Sequence, residues 1–370
     1  MDRRIPYTCP LRQWPVLFRP RKKVENPHSS PVNLQMKALQ LDAVNQAAAV
    51  REVPTPVPAA GEILVKLHAA ALNHRDVWIQ QGQYAGIKLP CTLGSDGAGE
   101  VAAHGQNVPA GAPAVGARIL INPGLRWGNN ARVQAKDFVV LGMPDPGTFA
   151  EYISLPARYI LPLPAHLSYE QGAALPLAGL TAYRAAFSRA QVQAGERVLV
   201  TGVGGGVALL AAQFCAARGA QVWVTSSSDE KLARAQALGA QGGTNYNADN
   251  WVKTLVQQAG GAFDVIIDSA GGDAFNSLVD AAAPGGRIVF YGGTLGPIPN
   301  LVPGKVFWKQ LSILGSSMGS EQDFADMLQL VTEKGIVPVV DEVLPLADGE
   351  AALRRLDAGA QFGKVVLKIS

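Results

Sequence analysis

Glu196-Arg-Val-Leu-Val-Thr-Gly-Val-Gly-Gly-Gly-Val-Ala-Leu-Leu-Ala-Ala-Gln213 is the stretch on which the fold turns. An apolar run ends at Thr201, glycines follow at 202, 204, 205 and 206, and an apolar helical pattern begins at Val207. A turn this tight needs residues without a Cβ. The helix behind it offers free N–H groups and a partial positive charge to an anion, and small Ala208 allows close packing of helix on strand. The alternative is a glycine turn that binds nothing. Its place between the right strand and the right helix favours a pyrophosphate site, with Gly202, Gly204, Gly205, Gly206 and Val207 as the loop that holds a dinucleotide.

Outward from this loop the pattern alternates. Strands are predicted over 197–201, 221–225, 263–268, 286–291 and 311–314, and helices over 207–217, 229–238, 272–283 and 320–334. Alternation at this spacing predicts a doubly wound parallel sheet with helices on both faces, over 161–335. Upstream, short strands are predicted over 36–41, over 62–67 followed by 68–72 as one, and over 99–103 and 117–121, with little helix. Pro54, Pro56 and Pro58 forbid a central strand between the first two. Residues 169–183 read as a helix, a proline break and a second helix. The tail, with a short helix at 349–357, returns to strand-like patterning and is assigned to the first domain. The fold class is α/β: a β-rich domain over 36–160, completed by 336–370, beside the doubly wound domain over 161–335.

With 48% hydrophobic and 16% charged residues, the 370-residue chain suits a soluble α/β enzyme rather than a disordered one. The net charge of +3 is concentrated in residues 1–35, which carry Arg3, Arg4, Arg12, Arg19, Arg21, Lys22 and Lys23. That segment reads as a disordered basic extension or the product of an upstream start; organelle targeting is the alternative. The remainder has no basic stripe for nucleic acid or an anionic membrane, and no apolar run of the ~20 residues that span a bilayer. Cys9, Cys91 and Cys215 form no CxxC pair, which fits a reducing cytoplasm.

The strand before Asp229 ends in Thr225, Ser226 and Ser227, where a site preferring NAD usually presents an acidic residue to the ribose. Asp229 and Glu230 read as first-turn helix residues, Ser227-x-x-Glu230 being a capping box. Lys231 can reach a 2′-phosphate or stand as a solvated surface lysine, and Tyr246 can close over the same group. The preferred coenzyme is therefore NADPH, with NADH possible.

Six segments carry a resemblance to a known family: Ala71-Leu-Asn-His-Arg-Asp76, Leu93-Gly-Ser-Asp-Gly-Ala-Gly-Glu-Val101, Leu175-Pro-Leu-Ala-Gly-Leu-Thr-Ala-Tyr183, the glycine loop, Pro284-Gly-Gly-Arg-Ile-Val289 and Phe362-Gly-Lys-Val-Val366. In this order the chain resembles the medium-chain dehydrogenase/reductase superfamily, nearest its quinone oxidoreductase and zinc-type alcohol dehydrogenase-like branches. The resemblance implies a GroES-like catalytic domain, a Rossmann domain, and a homodimer or homotetramer. Zinc alcohol dehydrogenases of that superfamily hold catalytic zinc on a Cys, a His and a second Cys, but here the first Cys position is Asn73, the Gly-His-Glu motif reads Gly94-Ser95-Asp96, and the second Cys position falls near Leu177. Such a set does not supply the usual three ligands. The lobe for structural zinc, 122–146, has no cysteine. No metal is therefore expected; His74 reads as a structural hydrogen-bonding group or a contact to coenzyme phosphate.

Without a metal to polarise a carbonyl, hydride transfer favours an acceptor that is already electrophilic, such as a quinone or an α,β-unsaturated carbonyl. The resemblance places Asn73 beside the nicotinamide ribose and the substrate. It likens Trp78 and Tyr84 to cleft aromatics: Trp78 stacks on a flat acceptor or simply packs, and Tyr84 donates a hydrogen bond or simply packs. Thr181 is assigned to the coenzyme, and Gly293 and Thr294 to its carboxamide. The competing readings are an alcohol dehydrogenase and a dinucleotide-binding protein without catalysis. For the coenzyme the expected result is a kcat/KM ratio of NADPH over NADH above one; a ratio below one rejects the assignment.

Overall fold

Parallel strands buried on both faces demand uninterrupted apolar runs, and the runs here meet that demand. Val198, Leu199, Val200, Val222, Val224, Val265, Ile266, Ile267, Ile288 and Val289 are all buried. In the computed structural model, which describes residues 34–370, they form a six-stranded parallel sheet. Its order is Gly242–Asn245, Gln221–Ser226, Arg197–Val200, Phe263–Asp268, Ala282–Phe290 and Ser312–Gly315. The chain enters at Arg197–Val200, winds to one side, then returns to the other. The order thus reverses between the two central strands, which opens a crevice at their carboxyl ends. The glycine loop sits there. The reading of residues 1–35 as an extension falls almost wholly outside the described residues.

The second sheet runs Ile160–Pro162, Arg118–Ile121, Asp96–His104, Glu62–Ala71, Lys364–Lys368 and Val340–Pro345, with Tyr152–Pro156 also on Glu62–Ala71. Val366 lies opposite Ala71 in an antiparallel pair, so the C-terminal strand enters the sheet beside the longest strand of the first domain. This pairing brings Lys364 to the crevice. The lobe at 122–146 is fastened by side chains. Trp127 is buried against Phe138, with the Arg184 guanidinium 4.7 Å from its ring. Arg184 also donates to the carbonyls of Ala131 and Arg132 and pairs with Asp323.

The strand read over 62–67 and on through 68–72 is Glu62–Ala71, with Ala69, Ala70 and Ala71 all buried; other elements differ. The helix His74–Gln80 interrupts the β-rich region. Its start is fixed by Asp76, whose Oδ2 accepts from the backbone N–H of Asn73 at 2.8 Å. The strand Gly242–Asn245 and the helix Trp251–Gln258 were not anticipated; Gly-Gly-Thr-Asn carries no apolar run because it is a sheet edge. The helix expected over 272–283 is only Phe275–Ala281, since Gly271 and Gly272 take φ of +65° and +62°. The cap of Asp229–Ala237 is Ser228, whose Oγ accepts from Lys231 N, so Ser227 and Glu230 make no capping box. Among the described residues no helix is long and apolar enough to cross a membrane.

Gly94 connects this framework to the residues at the crevice. Its φ is +96°, and a Cβ there would strike the Phe149 ring and lie 2.7 Å from Thr148 Oγ1. Gly61 has a similar φ of +80° with nothing within 4 Å. Gly61→Ala should cost about 1 kcal/mol from backbone strain alone, and Gly94→Ala about 3 kcal/mol or more because a clash is added. Urea unfolding measures both; equal losses would show that the Phe149 contact imposes nothing.

Candidate active site

The glycine loop is braced from below. Thr201 Oγ1 donates to Asp268 Oδ1 at 2.6 Å, and Asp268 Oδ2 accepts from the backbone N–H of Gly271 at 2.8 Å and of Ala270 at 3.2 Å. This ties together the tips of the two central strands. Gly202 and Val203 donate their N–H groups to Oγ1 and the carbonyl of Thr225, at 3.3 and 2.8 Å. Gly202 and Gly204 take φ of +66° and +143°, which few side chains tolerate. Gly205 caps the helix Gly206–Ala217 without a side chain. Its first N–H groups have no intrahelical partners, which is the arrangement that receives a phosphate.

The C-terminal segment faces this loop. Gly363 N donates to Gly204 O at 2.9 Å, and a Cβ on Gly206 would lie 2.6 Å from Cδ of Lys364. The lysine stem therefore crosses the helix N-terminus and needs glycine there. Beyond it, Lys364 Nζ donates to Leu72 O at 2.6 Å, Asn73 Oδ1 at 2.6 Å and Asp96 Oδ2 at 3.0 Å. Asn73 Nδ2 donates to the same Asp96 oxygen at 2.9 Å, and the other oxygen accepts from Leu177 N at 2.7 Å. All three side chains are buried.

The positions at which the family resemblance implies metal ligands are thus gathered, but around an ammonium–carboxylate pair. Asn73 and Asp96 bind the ammonium, and Leu177 contributes only its backbone N–H. Ser95 is likewise engaged: its Oγ accepts from Arg75 at 2.7 Å and donates to Leu141 O at 2.8 Å. Among the described residues, no three His, Cys, Asp or Glu side chains gather as a ligand set. These residues do not fit a zinc ion.

The remaining candidates have contacts of their own. His74 lies one residue beyond Asn73, its ring 6.2 Å from that of Trp78; desolvation of the ring and the positive charge of Lys364 lower its pKa. Tyr84 is half-buried with the Arg75 guanidinium 5.0 Å from its ring centre. Thr181 is buried with Oγ1 3.9 Å from Met318 Sδ, one turn beyond Ala178, the residue closest in that helix to Gly206. Gly293 and Thr294 are exposed after the strand Ala282–Phe290, in a loop pinned by Leu295 N to Ala270 O at 2.9 Å.

At the other end of the crevice, Ser226 and Asn245 are paired across the sheet edge and Tyr246 follows, half-exposed. Ser226 is buried and Ser227 exposed. No acidic side chain ends this strand. Asp229 is turned to the Asn245 amide at 3.1 Å. Lys231 lies along Gly204 and donates to Gly359 O at 2.9 Å. Sequence reasoning missed Lys364, Asp268, Thr201 and Arg75 as site residues. Lys364, Arg75 and Thr201 stand in the segments quoted above, whereas Asp268 carried no signal beyond the end of its strand.

Comparison with known proteins agrees with this architecture. Residues 59–165 match the alcohol dehydrogenase GroES-like domain family, and residues 206–333 the zinc-binding dehydrogenase family. The chain is 35% identical over 334 residues to the zinc-type alcohol dehydrogenase-like protein YogA of Leptosphaeria maculans, covering 86% of this chain and 93% of that one. It is 32% identical over 327 residues to a quinone oxidoreductase of Mus musculus, covering 85% and 92%. A solved NAD-dependent alcohol dehydrogenase superposes with a TM-score of 0.86 at 38% identity, over 90% of this chain and all of the other.

Asp76, which starts the helix carrying His74 and Trp78, is completely buried and has one oxygen without a partner. Burial pushes its pKa from 3.8 up to about 6, against the opposing pull of Arg75. The folded state then holds this proton more tightly than the unfolded chain. Stability from Asp76 is complete below about pH 4 and is lost as pH rises through about 6, a change of about 3 kcal/mol. Asp76→Asn should flatten that decline. Urea unfolding of both proteins across this range measures it, and parallel profiles would contradict the assignment.

Proposed function

The chain belongs to the medium-chain dehydrogenase/reductase superfamily of NAD(P)-dependent oxidoreductases, and from that premise we propose that it reduces quinones or α,β-unsaturated carbonyls with NADPH and without catalytic zinc. The observation that carries this reading is the Lys364 ammonium bound to Asn73, at one missing-ligand position, and to Asp96, the neighbour of Ser95 at another. A second cation in that space would meet direct repulsion and no thiolate or imidazole. The quinone oxidoreductase relative supports the choice of acceptor. The absence of an acidic residue at Ser226 and Ser227 supports NADPH.

A bound nicotinamide coenzyme supplies the hydride. The chain supplies position and environment. Gly202, Gly204, Gly205, Gly206 and Val207 hold the pyrophosphate against free backbone N–H groups. Ser226, Ser227, Lys231 and Tyr246 surround the ribose phosphate, and Gly293 and Thr294 the carboxamide end. Asn73 offers an N–H to the reacting end. Trp78 and Tyr84 line the acceptor space and reduce its water. A quinone or enone suits such a site because its developing charge is delocalised onto an oxygen within reach of a neutral donor.

The second reading, an alcohol dehydrogenase, is favoured by the solved NAD-dependent relative. One set of assays separates the readings. NADPH oxidation is followed with quinones, enones and aldehydes, and alcohol oxidation with NADP, before and after dialysis against a zinc chelator. The expected result is turnover of quinone or enone, unchanged by the chelator, in protein without stoichiometric zinc. Chelator-sensitive alcohol oxidation would overturn the proposal, and no turnover at all would favour a non-catalytic dinucleotide binder.

A further inference from the structure

We propose that Lys364 and Asp96 are positioning residues that lock the side-chain amide of Asn73 in one orientation, leaving a single N–H to serve the acceptor oxygen. The inference deepens the zinc-free reading above and rests on it. An ammonium group has three N–H donors and no acceptor; a carboxylate only accepts. Lys364 commits all three donors, to Leu72 O, Asn73 Oδ1 and Asp96 Oδ2, so it has none left for a substrate. Asn73 must therefore turn its oxygen to the ammonium and its nitrogen to the carboxylate. A flipped amide would set N–H against N–H and oxygen against oxygen. Asp96 is itself held by Leu177 N and its backbone carbonyl by Thr148 Oγ1. Of the two hydrogens on Asn73 Nδ2, one is used and the other is free.

Asn73 caps the helix His74–Gln80, and the lysine that fixes it crosses the N-terminus of the glycine-loop helix at Gly206. The free donor is thereby built into the junction of the coenzyme loop and the first domain. The internal ammonium performs the orienting part of a metal's role, while the neutral amide performs the contact. The amide donates a hydrogen bond only, and its hydrogen stays on nitrogen as charge gathers on the acceptor oxygen. Preorganised donors of this kind act mainly on the transition state.

The test compares wild type, Lys364→Met, Asn73→Ala and the double variant. Lys364→Met keeps an apolar stem over Gly206 and removes the ammonium. It should lower kcat with the best quinone or enone about 100-fold, with the acceptor KM and the NADPH Kd within about threefold. The double variant should be no slower than Asn73→Ala, because both substitutions remove one unit. Should Lys364→Met fail to fold, Lys364→Met/Asp96→Asn leaves no stranded charge and carries the same expectation. The second readout needs no turnover. In protein labelled with 15N at asparagine, the Asn73 amide pair, assigned by its loss in Asn73→Ala, should show one exchange-protected proton in wild type and none in Lys364→Met.

An unchanged kcat, a loss expressed wholly as weaker NADPH binding, strictly multiplicative effects, or an amide pair indifferent to Lys364 would each overturn the positioning role. Wild-type protein inert toward every quinone and enone would instead defeat the acceptor assignment, and the amide signals would still decide the orientation.

Discussion

The buried ion pair of Lys364 and Asp96 is the interaction on which the crevice depends. Desolvating two charges costs several kcal/mol per ion, and the cost is recovered only with near-complete hydrogen bonding. Here every ammonium donor is used and both carboxylate oxygens accept. The pair joins four parts of the chain: the C-terminal strand, the end of Glu62–Ala71, the start of Asp96–His104 and the helix carrying Leu177. Hydrophobic packing could hold these segments together, but it could not dictate which way an amide faces.

That constraint explains why the first domain is completed by the last residues of the chain. Gly363 hydrogen-bonds the glycine loop, Lys364 crosses it, and Val365 to Leu367 are buried in the first domain's sheet. One short strand thus registers the glycine loop against Asn73 and Asp96. Arg75 performs a parallel task. It binds Ser95 and the carbonyls of Val140, Leu141 and Met143 while lying under Tyr84. Two fixed cations, Lys364 and Arg75, therefore organise the space around Asn73, Ser95 and Asp96.

The Rossmann half was legible in the sequence because its signals are local. Parallel strands buried on both faces produce runs such as Arg-Val-Leu-Val and Phe-Asp-Val-Ile-Ile-Asp, and a phosphate loop needs glycine in a fixed order. What escaped lacked a local signature. Gly242–Asn245 is an edge strand without apolar character. The helix His74–Gln80 is seven residues long and starts from an Asn-to-Asp cap rather than a Ser or Thr. Ser228 took the cap because three serines stand in a row and only the backbone decides between them. In the site, the glycines and Asn73 were visible as motifs. Lys364 stood in a quoted segment, but its pairing was not legible, because its partners lie about 270 to 290 positions away in sequence. An ion pair between distant segments leaves no spacing to read.

The most direct measurement of the central claim is a crystal structure of the NADPH complex with diffraction recorded on both sides of the zinc absorption edge. The account predicts coenzyme lying over Gly202 to Gly206, Lys364 Nζ still on Asn73 Oδ1 and Asp96 Oδ2, and no anomalous peak among Asn73, Ser95 and Leu177. A peak at that position, or a lysine swung out to leave Asp96 facing a metal, would contradict it.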